Sequence, residues 1–226
     1  MSVHLSKIIP WGRSMREHEL MFSLGASDLR NKILGCGDGP ASFNAEKTQR
    51  GLSVVSCDPI YVFSPAQILD QFKASIQPVM SQVRAHLPNY VWSYHRNPDD
   101  LLHNRQTVMS AFISDYSAGL AAGRYVVGEL PKLPFANDAF ELAVCSHLLF
   151  LCSNMLSLEF HLQSVLELCR VAKEARIFPI TGLDCEISPH LSPLMRDLQR
   201  RGLRVEIVQV DYQLQRNGDK MLQVFK

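Results

Sequence analysis

Short apolar runs alternate with longer amphipathic segments along most of this chain, which predicts strands that alternate with helices. The runs that predict strands are 33–34, 52–57, 124–127, 142–145 and 175–179. The segments that are compatible with helices are 14–24, 40–50, 67–87, 99–120, 157–171 and 191–201. Strands and helices in this order are typical of an α/β fold with a mostly parallel sheet.

The last part of the chain has a different pattern. Two apolar runs, 205–212 and 221–225, flank Asn217-Gly218, and this residue pair favours a hairpin turn. We therefore expect the sheet to end on antiparallel strands. A nucleotide-binding domain of the NAD type ends on parallel strands, so the hairpin argues against that type.

The N-terminal part is predicted to be an irregular arm over 1–13, followed by a helix. Ser14 and Glu17 have the spacing of a capping box, in which each side chain caps a backbone N–H of the other residue. Gly25 is expected to end this helix. Arm and helix together form an N-terminal segment, 1–28, ahead of the first strand.

A long helical region, 62–122, separates the second and third predicted strands. A simple crossover between parallel strands needs far fewer residues. One of the two helices in this region is therefore expected to be the crossover, and the other an insertion. The insertion is either a lid that shapes a pocket or a packing helix without ligand contact.

Three glycines follow the first predicted strand, at Gly35, Gly37 and Gly39. Glycine accepts positive φ angles and lets a ligand approach the backbone closely. The helix expected after this turn, with Pro40 in its first turn, offers unpaired N–H groups that favour an anion. Asp58 ends the second strand about 20 residues later, the distance at which an acid can accept hydrogen bonds from ribose hydroxyls. The pattern predicts a site for a nucleoside-like cofactor at the ends of two parallel strands.

The glycine spacing separates several kinds of nucleotide site. The third glycine of a GxGxxG fingerprint would fall on Pro40 or on Ser42, so the dinucleotide fingerprint fails, and there is no GxxxxGK[ST] motif. The remaining GxGxG pattern after a strand resembles motif I of the class I S-adenosylmethionine-dependent methyltransferases. The acid that this family carries two residues before the first glycine is replaced here by Ile33.

A second resemblance covers 128–141, which reads GELPKLPFANDAFE. It is similar to the segment of small-molecule methyltransferases that carries an acid, Leu-Pro-Phe and Phe-Asp. Glu129 stands at the position of the acid that contacts adenine, and Glu141 replaces the Asp that begins the fourth strand. The sequence at 167–171 resembles the family's Glu-x-x-Arg-Val helix end, with 173–174 as the turn that follows. The segments WGRS, GPASFNAE, LPFA and SHLLFL together resemble a bacterial group within this class.

The resemblance implies a single domain over 1–226. Its fold would be α/β, with a doubly wound, seven-stranded, mostly parallel sheet and a C-terminal antiparallel hairpin. It implies S-adenosylmethionine as the cofactor, lying across the tips of strands one, two and four. The residues expected to contact this cofactor are Gly35, Cys36, Gly37, Gly39, Pro40, Asp58, Pro59, Glu129, Leu130, Ser146 and, for the methionine carboxylate, Arg13 of the arm.

The acceptor side is predicted around the tip of the fourth strand. The signature (Asp or Asn)-Pro-Pro-(Tyr or Phe) of amino-methyltransferases is absent there. His147 has a pKa that suits a proton acceptor, so it is either a general base for the acceptor or a packing residue. Trp11 is expected to close the substrate side or to pack on the sheet edge. Tyr61 is expected to stack on adenine, to contact substrate or to pack.

Composition limits the classes of partner and the cellular compartment that we expect. The formal net charge is +1 without long charged runs, which argues against a nucleic-acid partner. The six cysteines are scattered without a CxxC pair, so neither a metal site nor disulfides are expected. There is no signal-peptide pattern and no apolar run near the ~20 residues of a membrane span, which predicts a cytoplasmic protein.

The sequence thus predicts methyl transfer from S-adenosylmethionine to a small-molecule acceptor by in-line displacement. Two alternatives stay open. One is a protein that binds S-adenosylmethionine or S-adenosylhomocysteine without catalysis, and the other is a NAD-type oxidoreductase domain. The acceptor and the oligomeric state are not determined by these patterns.

Overall fold

The computed structural model describes residues 11–226, so the part of the predicted arm over 1–10 lies outside the described residues. Seven strands form one sheet: β1 (Ile33–Cys36), β2 (Val54–Cys57), β3 (Tyr125–Val126), β4 (Phe140–Ser146), β5 (Ala172–Phe178), β6 (Arg204–Gln209) and β7 (Lys220–Phe225). Their order is β3-β2-β1-β4-β5-β7-β6. The first five strands are parallel, and β7 is antiparallel to both β5 and β6. This order confirms the predicted fold class.

The helices are α1 (Met15–Met21), α2 (Ala26–Arg30), α3 (Phe43–Gln49), α4 (Pro65–Ala85), α5 (Pro98–Ala121), α6 (Leu158–Val171) and α7 (Leu191–Arg200). Helices α1, α3, α4 and α5 pack in one apolar cluster, while α6 and α7 pack in another. Strand β1 is buried on both sides, with Ile33 in the first cluster and Leu34 in the second. The sheet is therefore covered on both faces, as expected for parallel strands. Among the described residues, no helix is long and apolar enough to cross a membrane.

Several predicted boundaries are wrong. Helix α1 ends at Met21 because Ser23 takes a positive φ of 48°, and Gly25 precedes the short α2 instead of ending α1. Helix α6 passes directly into β5, so 173–174 lies in the strand and not in a turn. Helix α3 begins at Phe43, so Pro40 lies ahead of the helix and not in its first turn.

The predicted hairpin is also longer than the Asn-Gly pair suggested. Strands β6 and β7 pair antiparallel, but they are joined by a long connection, 210–219. Asn217 has a positive φ of 62° and Gly218 N–H donates to Gln215 O (3.0 Å), so the pair forms a turn inside this connection. The connection is long enough to reach the carboxyl ends of the parallel strands.

The carboxylate of Glu17 in α1 is fully buried and joins distant segments. Arg105 of α5 donates to both of its oxygens, through Nη2 to Oε1 (2.7 Å) and through Nη1 to Oε2 (2.8 Å). Tyr212 OH, from the β6–β7 connection, donates to Oε1 (2.8 Å), and His95 Nε2, from the α4–α5 connection, lies 3.5 Å from Oε1. The backbone N–H of Ser14 donates to Oε2 (2.9 Å). The capping box of α1 therefore also carries the central ion pair of the fold.

The protonation state of Glu17 follows from these partners. Burial alone would raise the pKa of Glu17, but the charge of Arg105 and the hydrogen bonds from His95 and Arg105 hold the pKa well below its usual value. The same carboxylate raises the pKa of Arg105 against the effect of burial. Both groups are therefore charged in the folded protein, and each compensates the desolvation of the other.

Replacement Glu17→Gln is expected to lower the free energy of unfolding by about 3–5 kcal/mol, because it leaves the buried Arg105 without a counter-charge. Urea unfolding of the variant and of the wild type measures this loss. Glu206→Gln is the matched control, since Glu206 pairs with Arg204 at 3.4 Å on an exposed part of β6. That control should change the free energy by less than about 0.5 kcal/mol. Equal effects of the two substitutions would contradict the central role of Glu17.

Candidate functional site

A cavity of about 500 Å³ lies at the carboxyl ends of the parallel strands. One wall, here called the strand-tip wall, consists of residues that follow β1, β2 and β3 or end β4: Cys36, Gly37, Asp38, Gly39, Asp58, Pro59, Ile60, Gly128, Glu129, Leu130, Ser146 and His147. A second set of lining residues, here called the apolar wall, is formed by Trp11, Val79, Val83, Tyr90, Leu101, Leu148, Leu151, Cys152, Leu156, Phe160, Leu183 and Leu214. Arg13 and Gln215 complete the lining. Parallel α/β sheets place ligands at this edge.

The glycine turn forms part of the strand-tip wall. Gly37 and Gly39 have positive φ angles of 67° and 56°, which side chains rarely adopt. Gly37 N–H donates to Cys57 O (2.9 Å), which holds the turn against the end of β2. A Cβ at Gly37 would lie 2.8 Å from Cδ2 of Leu148. The turn is thus a cradle that only residues without side chains can form.

Asp58 closes this cradle from the end of β2. Its Oδ2 accepts a hydrogen bond from Gly39 N–H (2.8 Å), and its Oδ1 accepts one from Ile60 N–H (2.9 Å). Each oxygen keeps a free lone pair for a ligand hydroxyl. Burial raises the pKa of Asp58 to about 6, against the two backbone hydrogen bonds that lower it, and the charges of Asp38 and Glu129 add to the rise.

Asp38, the residue between the second and third glycines, is a candidate that the sequence analysis missed. Its Oδ2 accepts a hydrogen bond from Ser56 Oγ (2.7 Å), while Oδ1 is buried without a hydrogen-bond partner among the described residues and lies 3.7 Å from His18 Nε2. A Cβ at Gly35 would overlap this carboxylate, at 1.9 Å from Oδ2. The first glycine therefore makes room for Asp38 and does not itself line the cavity. An acid inside a glycine turn was the signal that could have identified it.

Glu129 and Leu130 line the cavity beyond β3, as predicted. The backbone can approach closely here because residue 128 is glycine: a Cβ at Gly128 would lie 2.8 Å from Cys57 Sγ and from Pro134 Cδ. The side chain of Glu129 is exposed, and its carbonyl accepts a hydrogen bond from Lys132 N–H (3.1 Å). Three neighbouring strands thus each bring an acid to one wall.

His147 follows β4 and lines the cavity with Ser146. Its φ is 55°, its N–H donates to Phe178 O (2.7 Å), and its ring packs edge-on against Phe178. The Nδ1 atom is buried without a hydrogen-bond partner among residues 11–226. Burial lowers the pKa of His147 well below its usual value, and the nearby charges of Arg13 and Arg105 lower it further. The imidazole is therefore neutral near pH 7.

Arg13 lies between the glycine turn and the Glu17 ion pair. Its carbonyl accepts a hydrogen bond from Ser42 N–H (3.1 Å), and its Nη1 donates to Trp11 O. The Nε atom is 4.0 Å from Glu17 Oε1. Burial and the charge of Arg105 lower the pKa of Arg13 to about 10, so it stays charged near pH 7. Arg13 and Trp11 both line the cavity, and their contacts with the methionine carboxylate and with substrate stay predictions.

Two other predicted residues do not reach the cavity. Tyr61 is buried among aromatic side chains, and its OH donates to Gly39 O (2.8 Å), which agrees with the packing alternative and not with stacking on adenine or contact with substrate. Through this hydrogen bond to Gly39, Tyr61 supports the glycine turn. Pro40 is covered by the N-terminal segment, since a Cβ at Gly12 would lie 2.0 Å from Pro40 O.

The region predicted as lid or packing helix contributes directly to the cavity. Val79 and Val83 of α4 and Leu101 of α5 lie in the apolar wall, together with Tyr90 of their connection. Both helices therefore line the cavity, and contact of either helix with a ligand stays a prediction. Whether these helices move as a lid stays a prediction.

The sheet order, the glycine cradle and the acids at neighbouring strand tips define the class I methyltransferase-like fold that the sequence predicted. No protein-family model matches the chain. Over 221 residues, the chain is 31% identical to the uncharacterized protein MJ0045 of Methanocaldococcus jannaschii. The aligned region is 97% of each of the two chains. It belongs to the same family as that protein.

Solved structures with a similar chain path carry methyltransferase names. One is a SAM-dependent methyltransferase from Aquifex aeolicus (15% identity, TM-score 0.40, 87% of this chain and 81% of the other). Another is a TehB-like SAM-dependent methyltransferase from Corynebacterium glutamicum (15% identity, TM-score 0.43, 87% of this chain and 80% of the other). A third is magnesium protoporphyrin IX methyltransferase from Synechocystis with bound SAM (11% identity, TM-score 0.44, 88% of this chain and 72% of the other). At such low similarity, the fold of this chain rests on its own sheet order.

The raised pKa of Asp58 gives a prediction about stability. A pKa of about 6 in the folded protein, against about 3.9 in the unfolded chain, means that the folded protein holds the proton more tightly. The contribution of Asp58 to stability therefore decreases as pH rises from about 4 to about 6. Asp58→Asn removes this titration. Between about pH 4 and about pH 6, the free energy of unfolding of the variant should therefore rise relative to that of the wild type by up to roughly 3 kcal/mol.

Urea unfolding of both proteins at pH 4 and pH 7 measures this difference. A carboxyl NMR titration, with Asp58→Asn to assign the signal, gives the pKa itself. A midpoint near 4 for Asp58 would show that its environment does not disfavour the charged form.

Proposed function

We propose that this protein is a methyltransferase that uses S-adenosylmethionine and a small-molecule acceptor. The observation that carries the proposal is the convergence of the glycine cradle, Asp58 and Glu129 on one cavity at the tips of β1, β2 and β3. The strand-tip wall offers the chemical partners that the cofactor needs: positive-φ glycines, a carboxylate with free lone pairs, and a buried, unpartnered carboxylate oxygen on Asp38.

Each part of the cofactor has a matching group on this wall. Asp58, when ionised, accepts hydrogen bonds from the ribose hydroxyls, and Glu129 with Leu130 borders the adenine. Asp38 Oδ1 suits the ammonium group of the methionine part. Arg13, charged and held at the glycine turn, suits its carboxylate. Gly37 and Gly39 let this end of the molecule lie against the backbone.

Methyl transfer from a sulfonium requires little of the protein beyond positioning of the two reactants. When bound, S-adenosylmethionine would supply an activated methyl group, and an acceptor lone pair would bond to the methyl carbon while the thioether sulfur leaves. The cavity walls hold the acceptor in line and exclude water, and such positioning is worth on the order of 7–11 kcal/mol of a barrier. His147, neutral at the tip of β4, is suited to take a proton from the acceptor.

A small-molecule acceptor fits the shape and charge of the site. The cavity is bounded by the N-terminal segment, by α4 and α5, and by the β6–β7 connection. The formal net charge of +1 and the lack of long basic runs in the sequence do not indicate a nucleic-acid partner. A nucleic-acid acceptor is therefore the weaker candidate.

A second candidate function is binding of S-adenosylmethionine or S-adenosylhomocysteine without catalysis. The departures from the family pattern at Ile33, Glu129 and Glu141 favour it. A NAD-type domain is disfavoured by the antiparallel β7 and by Pro40 in place of the third fingerprint glycine.

Calorimetric titration with S-adenosylmethionine, S-adenosylhomocysteine and NAD separates these classes. Binding of the first two without NAD is the expected result, and tight binding of NAD alone would refute the proposal. Methyl transfer from labelled S-adenosylmethionine to a metabolite extract then distinguishes an enzyme from a binding protein. The labelled product also identifies the acceptor.

Asp58→Ala is expected to weaken S-adenosylmethionine binding at least about tenfold, since it removes charged hydrogen-bond acceptors for the ribose. In the wild type, affinity should fall as pH drops below about 6, by up to about tenfold per pH unit, because protonated Asp58 accepts the hydroxyls poorly. The variant should lack this pH dependence.

The matched control is Asp70→Ala, which removes an exposed carboxylate on α4. Calorimetry from pH 5 to 8 on the wild type and both variants makes the comparison. Unchanged affinity in Asp58→Ala would remove Asp58 from the cofactor site.

A further inference from the structure

The apolar wall differs in chemistry from the strand-tip wall of the same cavity. Apart from the Cys152 thiol, it consists of aliphatic and aromatic side chains from the N-terminal segment, α4, α5 and their connection, the chain after β4, the chain after β5 and the β6–β7 connection. Among the described lining residues the carboxylates are Asp38, Asp58 and Glu129, and all three lie on the strand-tip wall. The space next to the apolar wall therefore favours an uncharged, apolar molecule.

An ammonium group would be poorly accommodated beside this wall. A buried cation needs a counter-charge or several hydrogen-bond acceptors. The nearest carboxylate on the N-terminal side, Glu17, is already bound by Arg105 and Tyr212. Asp38 and Asp58 lie at the glycine turn. An acceptor that enters as an ammonium ion would stay unpaired.

His147 is the polar group at the border of the two walls. Nδ1 has no hydrogen-bond partner among the described residues, and the residue lines the cavity beside Ser146 and Leu148. The titratable groups whose charges act on its ring are Arg13, Arg105, Glu17 and His18, and the two arginines oppose its protonation. A neutral imidazole at this border can accept one proton from a ligand.

We infer that the acceptor is an apolar molecule with a neutral O–H or S–H group, which His147 deprotonates as the methyl group is transferred. This inference rests on the proposed function. The acceptor proton passes to His147, and an acceptor lone pair forms the new bond to the methyl carbon. The carbon–sulfur bond of the sulfonium breaks, and its electrons stay on sulfur as an uncharged thioether. His147 then returns the proton to solvent.

The test compares matched probes with labelled S-adenosylmethionine at pH 7.5. Phenylmethanethiol and 4-methylphenol carry the expected group on an apolar body. Benzylamine is the charged counterpart, and 2-mercaptoethanol is a thiol without the apolar body. The thiol or the phenol should have a kcat/KM at least about tenfold above benzylamine and above 2-mercaptoethanol, since an unpaired buried ammonium or a lost apolar contact costs more than about 1.4 kcal/mol.

Two pairs of variants test the residues. His147→Ala should lower kcat by about 100-fold or more for the phenol, with cofactor affinity unchanged within about twofold, while His103→Ala on the exposed side of α5 should leave both unchanged.

Leu156→Asn should raise KM for the apolar probe with little change in kcat, because it places an amide in the apolar wall. Met155→Asn, at an exposed neighbouring position outside the cavity lining, should not.

Calorimetry with S-adenosylmethionine separates failure of this inference from failure of the proposed function. If the cofactor does not bind, the proposed function is wrong. If the cofactor binds but benzylamine is the better acceptor, or none of the four probes is methylated, the acceptor class inferred here is overturned. Full activity of His147→Ala would likewise overturn the role of His147.

Discussion

The shape of the cavity depends on a single buried carboxylate, that of Glu17. A charge in the protein interior is tolerated only when it is paired and hydrogen-bonded, so its partners are held at fixed positions. Arg105 and Tyr212 satisfy this requirement from two segments that are far away in the sequence. The apolar wall is built from the neighbours of these contacts: Leu101 precedes Arg105 by one helical turn, and Leu214 follows Tyr212. The ion pair thus joins two segments that each supply a residue to the apolar wall.

The two walls of the cavity have different physical origins. The strand-tip wall is fixed by the parallel sheet, whose register brings Gly37 and Asp58 to the same edge. Part of the apolar wall, at Leu101 and Leu214, comes from segments outside the sheet that also contact Glu17. A family that keeps the sheet can therefore alter the second wall without disturbing the first. This separation is the reason that the strand tips indicate a donor, whereas the acceptor must be argued from the apolar side chains.

The sequence predicted what local chemistry determines. The glycine turn, Asp58 and Glu129 were found because backbone conformation and strand ends leave a clear pattern. Asp38 was missed because its role depends on the missing side chain of Gly35, which is a packing effect. The role of Tyr61 stayed open because an aromatic residue after a strand looks the same in sequence whether it faces a ligand or supports the glycine turn. The Glu17 ion pair was also missed, since a capping-box Glu does not indicate partners 88 and 195 residues away.

The distance of Tyr212 from Glu17 along the chain has a consequence for synthesis. The parallel strands β1 to β5 can pair before the last part of the chain has left the ribosome, whereas the β6–β7 connection reaches Glu17 only afterwards. Until then the carboxylate lacks one of its donors and the cavity lacks Leu214 and Gln215. The cavity is therefore completed last, and a nascent chain holds an open set of strand tips before it holds a closed binding site.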